Sequence, residues 1–361
     1  MGALVEGYAG VVVIGPGTVT NFGTITGLTL TGTHVNVTGA AVTVSGAIVN
    51  SGELLLTGGK ITVASAGASL TGTTVVMLSD NAANEIVGAT AGAVLTNVGN
   101  HIEGAGKLGA GQMTFVNQSA GWVASLGANA LILDTGTNTI ANAGVIEAVG
   151  IGGLIIDSAV ANTGRLIANA STLTVNAAVT GTGYGEVITG RLKFASTSTF
   201  NQNVTFASGS TGTLELAHGQ TYSGTITGFS TTAGTFLDLD DISFTAGTTT
   251  AIYSGAASGG ILTVTDGSHT AHIHLAGDYL NSTFITAADG HGGTVIHDPT
   301  RAPAKTPPPS GPPRLEIPLF PTHTFIQIMA SLGVHGGEGL APAGDVWRPS
   351  PMLAMPGARI A

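Results

Sequence analysis

Asparagine and glycine recur two residues apart at nearly regular intervals, and this repeat constrains the fold more than any other feature of the chain. Asn-x-Gly begins at Asn21, Asn50, Asn97, Asn142 and Asn162, and Asn117-Gln-Ser is a degenerate copy. From Asn97 onward the copies start 20 to 25 residues apart. That spacing is about one coil of a parallel β-solenoid, in which short strands alternate with turns.

A coil of this kind explains the composition of the repeats. One coil cannot bury its apolar side chains alone, but coils stacked at about 4.8 Å enclose Val, Ile and Leu in a continuous core. A corner asparagine can hydrogen-bond to the asparagine of the next coil and form a ladder, and the following glycine permits a left-handed corner. A β-sandwich with glycine turns is the alternative, but it has no reason to repeat Asn-x-Gly at one coil length.

The composition excludes several classes of protein. Hydrophobic residues make up 43% of the chain and charged residues 8%, so the chain is not disordered for lack of apolar residues. No run of about 18 apolar residues predicts a transmembrane helix. Cysteine is absent, which excludes disulfides and thiolate metal sites. A net charge of −10 disfavours nucleic acid as a partner, because phosphates would be repelled.

The pattern changes along the chain, and the sequence predicts an all-β fold in three parts. Residues 1–193 form a right-handed parallel β-helix. Residues 194–299 form a small acidic module that caps the solenoid or closes its own core, since aromatic residues become frequent there and neither Lys nor Arg occurs. Residues 300–361 form a proline-rich, mostly disordered tail with a short amphipathic helix at 322–334.

Residues 212–299 carry the phrases GTLELAHGQTYSGTITGF, LDLDDISF, GGILTVTDGSHTAHIHLAGDY and FITAADGHGGTVIHDP. This string resembles the C-terminal module of large proteobacterial exported repeat proteins of adhesin, autotransporter-passenger or RTX-like type. The resemblance implies a secreted or cell-surface protein of a Gram-negative bacterium. It also implies that the secretion machinery reads the C-terminal region, as in type I secretion. The start of the chain, MGALVEGYAGVVVIG, lacks the basic region of an ordinary Sec signal.

Carboxylates of the acidic module are the candidate calcium ligands. On a strand, Asp238 and Asp240 share one face while Asp241 points to the other, and two such carboxylates can share a Ca²⁺ with backbone carbonyls. Asp289 and Asp298 flank the last predicted strand and complete the candidate set. The alternative is structural: a solvated acidic strand end, with Asp289 capping the turn of a terminal β-hairpin. External Ca²⁺ would neutralise the repulsion among these acids.

Histidines offer a second metal hypothesis. His272 and His274 alternate on one predicted strand, so that both imidazoles face one side, and Zn²⁺ binding would need a third ligand. The candidates for that ligand are His269, His291 and His297. The competing interpretation is a row of exposed strand histidines. Two turns are also predicted, at the hairpin signal Asp266-Gly267 and at Asp278.

Catalysis is the least favoured function. A glycan-cleaving β-helix enzyme would gather carboxylates on one face, whereas Glu103, Glu147, Asp157 and Arg165 are scattered along the sequence. We therefore expect a non-catalytic, adhesive protein without a required cofactor. Its long, weakly charged surface would contact an extracellular glycan, a matrix component or another copy of itself.

Overall fold

The computed structural model describes residues 37–39, 41–195 and 198–299 in full, together with the backbone of short strands between residues 5 and 36. The predicted tail at 300–361 and its helix at 322–334 lie outside the described residues. None of the helices in the described part of the chain is both long and apolar enough to cross a membrane.

The described elements are almost all short strands. The N-terminal strands are β1 (Val5–Tyr8), β2 (Val11–Ile14), β3 (Gly17–Val19), β4 (Thr24–Thr26), β5 (Leu28–Leu30), β6 (His34–Thr38), β7 (Ala41–Asn50), β8 (Glu53–Thr57) and β9 (Lys60–Thr71). They are followed by β10 (Val75–Leu78), β11 (Glu85–Gly88), β12 (Val94–Asn97), β13 (His101–Gly104), β14 (Gly106–Gly109), β15 (Thr114–Asn117), β16 (Trp122–Ser125), β17 (Leu131–Leu133) and β18 (Ile140–Asn142). Next come β19 (Val145–Ala148), β20 (Leu154–Ile156), β21 (Val160–Asn162), β22 (Arg165–Ala168), β23 (Ser171–Val175), β24 (Val179–Thr180), β25 (Tyr184–Val187) and β26 (Gly190–Phe194). The last strands are β27 (Asn203–Phe206), β28 (Thr213–Leu216), β29 (Thr225–Thr227), β30 (Phe236–Leu239), β31 (Thr250–Ala256), β32 (Gly259–Thr265), β33 (Thr270–Ala276), β34 (Ile285–Ala288) and β35 (Thr294–His297), and a 3-10 turn spans Gly219–Thr221.

The strands stack into a parallel β-solenoid of about nine turns, which confirms the predicted fold class. Each regular coil contributes one strand to each of three ladders. The first, which we call the lateral ladder, consists of parallel strands from β8 through β10, β13, β16, β19, β22, β25, β27 and β29 to β33. The second ladder runs from the first half of β9 to β30, and the third from the second half of β9 to β24.

Alternation along each strand places its apolar side chains inward, where they stack on those of neighbouring coils. In the lateral ladder the inward column includes Leu54, Val76, Ile102, Val123, Ile146 and Leu166, all of them buried. The buried residues form one continuous core from Val37 to Ile296. Stacking of coils therefore supplies the core that a single coil lacks.

The corner asparagines form the predicted ladder, and it is fully buried. The Nδ2 group of Asn97 donates to Oδ1 of Asn117 at 3.0 Å, Asn117 donates to Asn142 at 2.9 Å, and Asn142 donates to Asn162 at 2.7 Å. Each of the three donor amides also donates to a backbone carbonyl near its own corner. The ladder therefore fixes the register of successive coils while leaving few buried polar atoms unsatisfied.

Among the described coils between Asn50 and Gln202, two lack the corner asparagine, and amides from other positions serve them. At the first gap Gly72 stacks on Asn50, while Leu70 lies beside Asn97. There, Asn100 accepts from Asn50 Nδ2 at 3.0 Å and donates to the Gly72 carbonyl. At the second gap stands Gly181, and the longer side chain of Gln202 spans it. Gln202 Oε1 accepts from Asn162 Nδ2 at 2.8 Å, and its Nε2 group donates to the carbonyl of Thr180. The sequence repeat did not indicate either substitute.

The glycine of the Asn-x-Gly motif has a different role from the one predicted. Gly144 and Gly164 do not adopt the left-handed conformation. A Cβ atom at Gly144 would lie 2.1 Å from the Gly121 carbonyl oxygen, and one at Gly164 would lie 2.0 Å from the Gly144 carbonyl oxygen. Glycine is therefore required because successive corners approach too closely for a side chain.

Parallel stacking continues past the domain boundary predicted at residue 193. Strands β26, β28 and β30 remain parallel, as do β25, β27 and β29. The third ladder ends at β24, and beyond it Phe200 packs between Phe194 and Tyr222 with ring centroids 3.6 and 5.9 Å apart. The aromatic residues thus replace one strand of the coil within the same core instead of forming a separate one.

The solenoid ends in antiparallel elements, which form the expected cap. Strands β31, β32 and β33 pair antiparallel, and β33 joins the lateral ladder beside β29. The hairpin of β34 and β35 pairs antiparallel with β30, the last strand of the second ladder. This terminal hairpin covers an edge that would otherwise be free to pair with another chain.

Replacing a central amide of the ladder tests its contribution to stability. We expect Asn142→Ala to lower the free energy of unfolding by about 2–4 kcal/mol, because it deletes three buried side-chain hydrogen bonds and leaves the Oδ1 atom of Asn162 without its donor. Thermal or urea unfolding followed by circular dichroism measures the change. Asn203→Ala is the matched control: its exposed side chain accepts one bond from Thr225, and we expect a loss below about 1 kcal/mol. Equal losses would contradict a structural role for the ladder.

Candidate functional site

Three carboxylates converge at the last coil. Within the described part of the chain, oxygens of Asp238, Asp240 and Asp289 lie within 4.8 Å of one another and form a group of potential metal ligands. Asp238 lies on β30 and is buried, Asp240 follows the strand and is exposed, and Asp289 comes from the turn between β34 and β35. We call these three residues the terminal carboxylate cluster. Antiparallel pairing of the hairpin with β30 brings Asp289 to the other two.

Asp289 caps the turn between β34 and β35 with one of its two carboxylate oxygens. Asp289 Oδ1 accepts the backbone N–H groups of His291, Gly292 and Gly293 at 2.6, 2.9 and 3.0 Å. A Cβ atom at Gly293 would lie 2.7 Å from Asp289 Oδ2 and 2.8 Å from Asp240 Cα. Glycine therefore permits the turn to bring Asp289 against the end of β30. The predicted terminal hairpin and turn cap are confirmed.

Cations from preceding coils reach this region. Residues 194–300 contain no Lys or Arg, so any ion-pair partner of their acids must come from outside the segment. In the second ladder, however, Lys193 pairs in register with Glu215, and Glu215 with Asp238. Arg191 and Lys193 both form ion pairs with Glu215, and Arg191 Nη1 lies 3.2 Å from Asp238 Oδ2.

The electrostatics of the terminal carboxylate cluster disfavour full ionisation. Burial raises the pKa of Asp238 from 3.8 to about 6, and the neighbouring charges of Glu215, Asp240 and Asp289 add to this effect, while Arg191 opposes it. Burial also raises the pKa of Asp240, with Glu215 as the next cause. The carboxylates are thus crowded by like charge, and a proton or a cation would relieve the repulsion.

The other two predicted calcium ligands lie apart from this group. Asp241 lies in the turn after β30 and accepts the N–H groups of Gly219 and Gln220, each at 3.0 Å. Asp298 is buried, and its Oδ1 accepts the N–H of Thr283 at 3.2 Å. Neither Asp241 nor Asp298 belongs to the group of three converging carboxylates.

The histidines are not gathered into a zinc site. His272 and His274 are both exposed on β33, and among the described residues no group of three metal-ligating side chains contains a histidine. His269 Nδ1 instead lies 2.9 Å from Asp266 Oδ2. Asp266 Oδ1 also caps the turn between β32 and β33, and its hydrogen bonds with His269 hold the pKa of Asp266 well below its usual range. The predicted Asp266 hairpin is confirmed, and Asp278 likewise caps its turn by accepting the N–H of Leu280.

The outer face of the lateral ladder brings together acids that are scattered in the sequence. Register places Glu103 beside Ala124, Ala124 beside Glu147, and Glu147 beside Ile167, which precedes Glu186 in the same column. Glu147 is buried and accepts from Asn169 at 2.8 Å, while Arg165 forms an ion pair with Glu186. Asp157 belongs to a different face, where it accepts from Asn176. Glu103 and Glu147 thus share one column but are separated by Ala124, and Arg165 lies in the neighbouring column.

Aromatic residues occupy the neighbouring column of the same face, and sequence reasoning missed them. This column runs His101, Trp122, Val145, Arg165, Tyr184 and Asn203. The rings of His101 and Trp122 lie 5.0 Å apart, and the guanidinium of Arg165 lies 5.9 Å from the Tyr184 ring centre. Each of these residues opens a lateral strand, which is the signal that an alignment of the coils would have provided. We call the two columns together the lateral face.

Comparison with known proteins does not assign the chain to a family. No protein-family model matches the chain, and no curated protein shows significant sequence similarity to it.

The raised pKa of Asp238 predicts a pH dependence of stability. Between pH 4 and 6 the folded state retains a proton that the unfolded state releases, so the free energy of unfolding decreases as the pH rises through this range. We expect the free energy of unfolding to decrease by about 1–2 kcal/mol relative to Asp238→Asn. One pKa unit corresponds to about 1.4 kcal/mol, and solvent on the exposed side of the cluster weakens the effect. Urea unfolding in EDTA between pH 4 and 7 measures the difference. Parallel pH profiles of the two proteins would contradict this electrostatic description.

Proposed function

We propose that this protein is a secreted or cell-surface β-solenoid of a Gram-negative bacterium that acts by adhesion, and that its lateral face binds an extended glycan. The observation that carries the proposal is the column of aromatic and charged side chains along parallel, in-register strands. Such a column repeats at the coil spacing of about 4.8 Å. A long polymer can contact it over several coils at once, whereas a small ligand would need a concave pocket.

The aromatic side chains provide the apolar part of such a surface. Trp122 and Tyr184 stand three coils apart, or about 14 Å at the usual strand spacing, and Tyr184 is 38% exposed. A sugar ring presents C–H groups on its faces, and these pack on the apolar face of an aromatic side chain. The two rings therefore suit contacts with separate sugar units of one chain.

The polar side chains determine which glycans fit. Glu103 and Glu186 lie beside the rings. Glu103 accepts a hydrogen bond from His101, and Glu186 forms an ion pair with Arg165. Carboxylates can also accept hydrogen bonds from sugar hydroxyl groups, but they repel the carboxylates of polyuronates. The lateral face therefore favours neutral glycans or glycans that carry amino groups.

Substitution of the rings tests the glycan proposal. We expect Trp122→Ala and Tyr184→Ala each to weaken binding to a retained polysaccharide by at least about tenfold, which corresponds to about 1.4 kcal/mol. The full chain is first screened on immobilised neutral, amino-sugar and uronate polysaccharides, and the variants are then compared by surface plasmon resonance. Ile151→Ala is the control, because this side chain is 86% exposed on a turn outside the lateral face.

Two results of this experiment would contradict the proposal. Retention of no polysaccharide, or equal retention of the Trp122→Ala and wild-type proteins, would exclude the lateral face as a glycan surface. Release of new reducing ends from a retained polysaccharide, abolished by Glu147→Gln, would instead support the alternative of a polysaccharide-active enzyme. We expect no release, because Glu147 is buried and already engaged by Asn169.

The location is a separate part of the proposal. It is supported by the resemblance of residues 212–299 to exported repeat proteins, by the absence of cysteine and by the weakly charged solenoid. We expect an epitope-tagged copy in its source cells to appear in the medium or to be digested by proteinase K added to intact cells. Protection of the tag in intact cells, with digestion after lysis, would show that the protein stays inside.

A further inference from the structure

We propose that the terminal carboxylate cluster binds one Ca²⁺, and that the ion fastens the hairpin of β34 and β35 to the last coil. The inference is independent of the glycan proposal, since the cluster lies on the second ladder and the lateral face on another. It concerns how the solenoid is closed at its C-terminal end.

The geometry of the three carboxylates suits a single ion. Ca²⁺ binds oxygen at about 2.3–2.6 Å, so two ligands of one ion are at most about 5 Å apart. One oxygen each of Asp238, Asp240 and Asp289 satisfies this condition, because the three lie within 4.8 Å of one another. The ligands come from two elements that are distant in sequence, so an ion bound here would link the hairpin to β30.

A buried oxygen without a partner points independently to a ligand. Asp238 is only 4% exposed. Its Oδ2 lies 3.2 Å from Arg191, but its Oδ1 is buried and accepts no hydrogen bond from any described residue. A buried carboxylate oxygen in this state costs free energy that a coordinated cation would recover.

The other two carboxylates have the oxygens and the access that coordination requires. Asp289 Oδ1 is saturated by three backbone N–H groups, and this fixes the carboxylate so that Oδ2 faces the end of β30 near Gly293. Asp240 is exposed, and it forms the solvent side of the cluster. The exposure of Asp240 therefore leaves one side of the cluster open to an ion from solvent.

The balance of charge favours a divalent ion. Four carboxylates, those of the cluster and Glu215, face two cations, Arg191 and Lys193. Two negative charges remain. All the ligands are oxygens, which does not match the nitrogen and sulfur preferences of zinc. Ca²⁺ accepts irregular carboxylate arrangements completed by water, whereas Mg²⁺ demands a nearly ideal octahedron.

Calcium titration of the full chain tests the proposal. We expect CaCl₂ to raise the thermal unfolding midpoint by at least about 3 °C relative to EDTA, with saturation, because an ion that binds only the folded state stabilises it. MgCl₂ at the same concentration controls for ionic strength. Hydrogen exchange in residues 285–297 should slow in the presence of Ca²⁺, since the ion would fasten this hairpin.

The double variant Asp240→Asn with Asp289→Asn should abolish the calcium response. An asparagine side chain at position 289 keeps an oxygen for the turn and Asp240 is exposed, so the variant is expected to fold. Asp241→Asn is the matched control: it alters the adjacent carboxylate, which binds the turn at Gly219, and should keep the full response. The proposal fails if isothermal calorimetry detects no Ca²⁺ binding to the wild type, or if the double variant responds as the wild type does.

Discussion

Buried amide groups at one corner of the coil are the interaction on which the rest of the structure depends. Within the ladder, Asn117 and Asn142 each accept from one neighbouring coil and donate to the other, so a coil displaced by one residue would leave buried donors and acceptors unpaired. The hydrophobic core alone does not impose this register, because Val, Ile and Leu pack almost interchangeably. The ladder thus converts a stack of similar coils into a single alignment, and the close approach at Gly144 shows how tight that alignment is.

Fixed register determines which side chains meet on the surface. Residues 20 to 25 positions apart become direct neighbours along a ladder, so chemistry is organised in columns that cross the coils. Trp122 and Arg165 share one column for this reason, and Glu103 and Glu147 share the next. The sequence alone did not show these shared columns, because the coil length varies and the register of each strand is known only from the structure.

The structural features that could be predicted follow from patterns among residues close in sequence. Those that could not be predicted depend on which residues of different coils become neighbours. The Asn-x-Gly repeat correctly predicted the solenoid, and the Asp266-Gly signal correctly predicted the hairpin of β32 and β33. Gln202 was missed because its longer side chain, at an irregular position, reaches across the coil that lacks an asparagine to Asn162 two coils away. The ion pair of Lys193 with Glu215 was missed for a similar reason: composition was counted over a segment of sequence, while the partner lies in the coil before it.

The same reasoning explains why the terminal carboxylate cluster occurs where the solenoid ends. Inside the stack, a charged residue of the second ladder has a coil on each side, and Glu215 obtains its cations from the coil below. Asp238 lies on the last parallel strand of this ladder, and its other neighbour is Val295 of the antiparallel hairpin. The hairpin closes the edge but contributes Asp289, a further negative charge, and no cation. A divalent ion at this position would supply the missing positive charge and join the cap to the body of the solenoid.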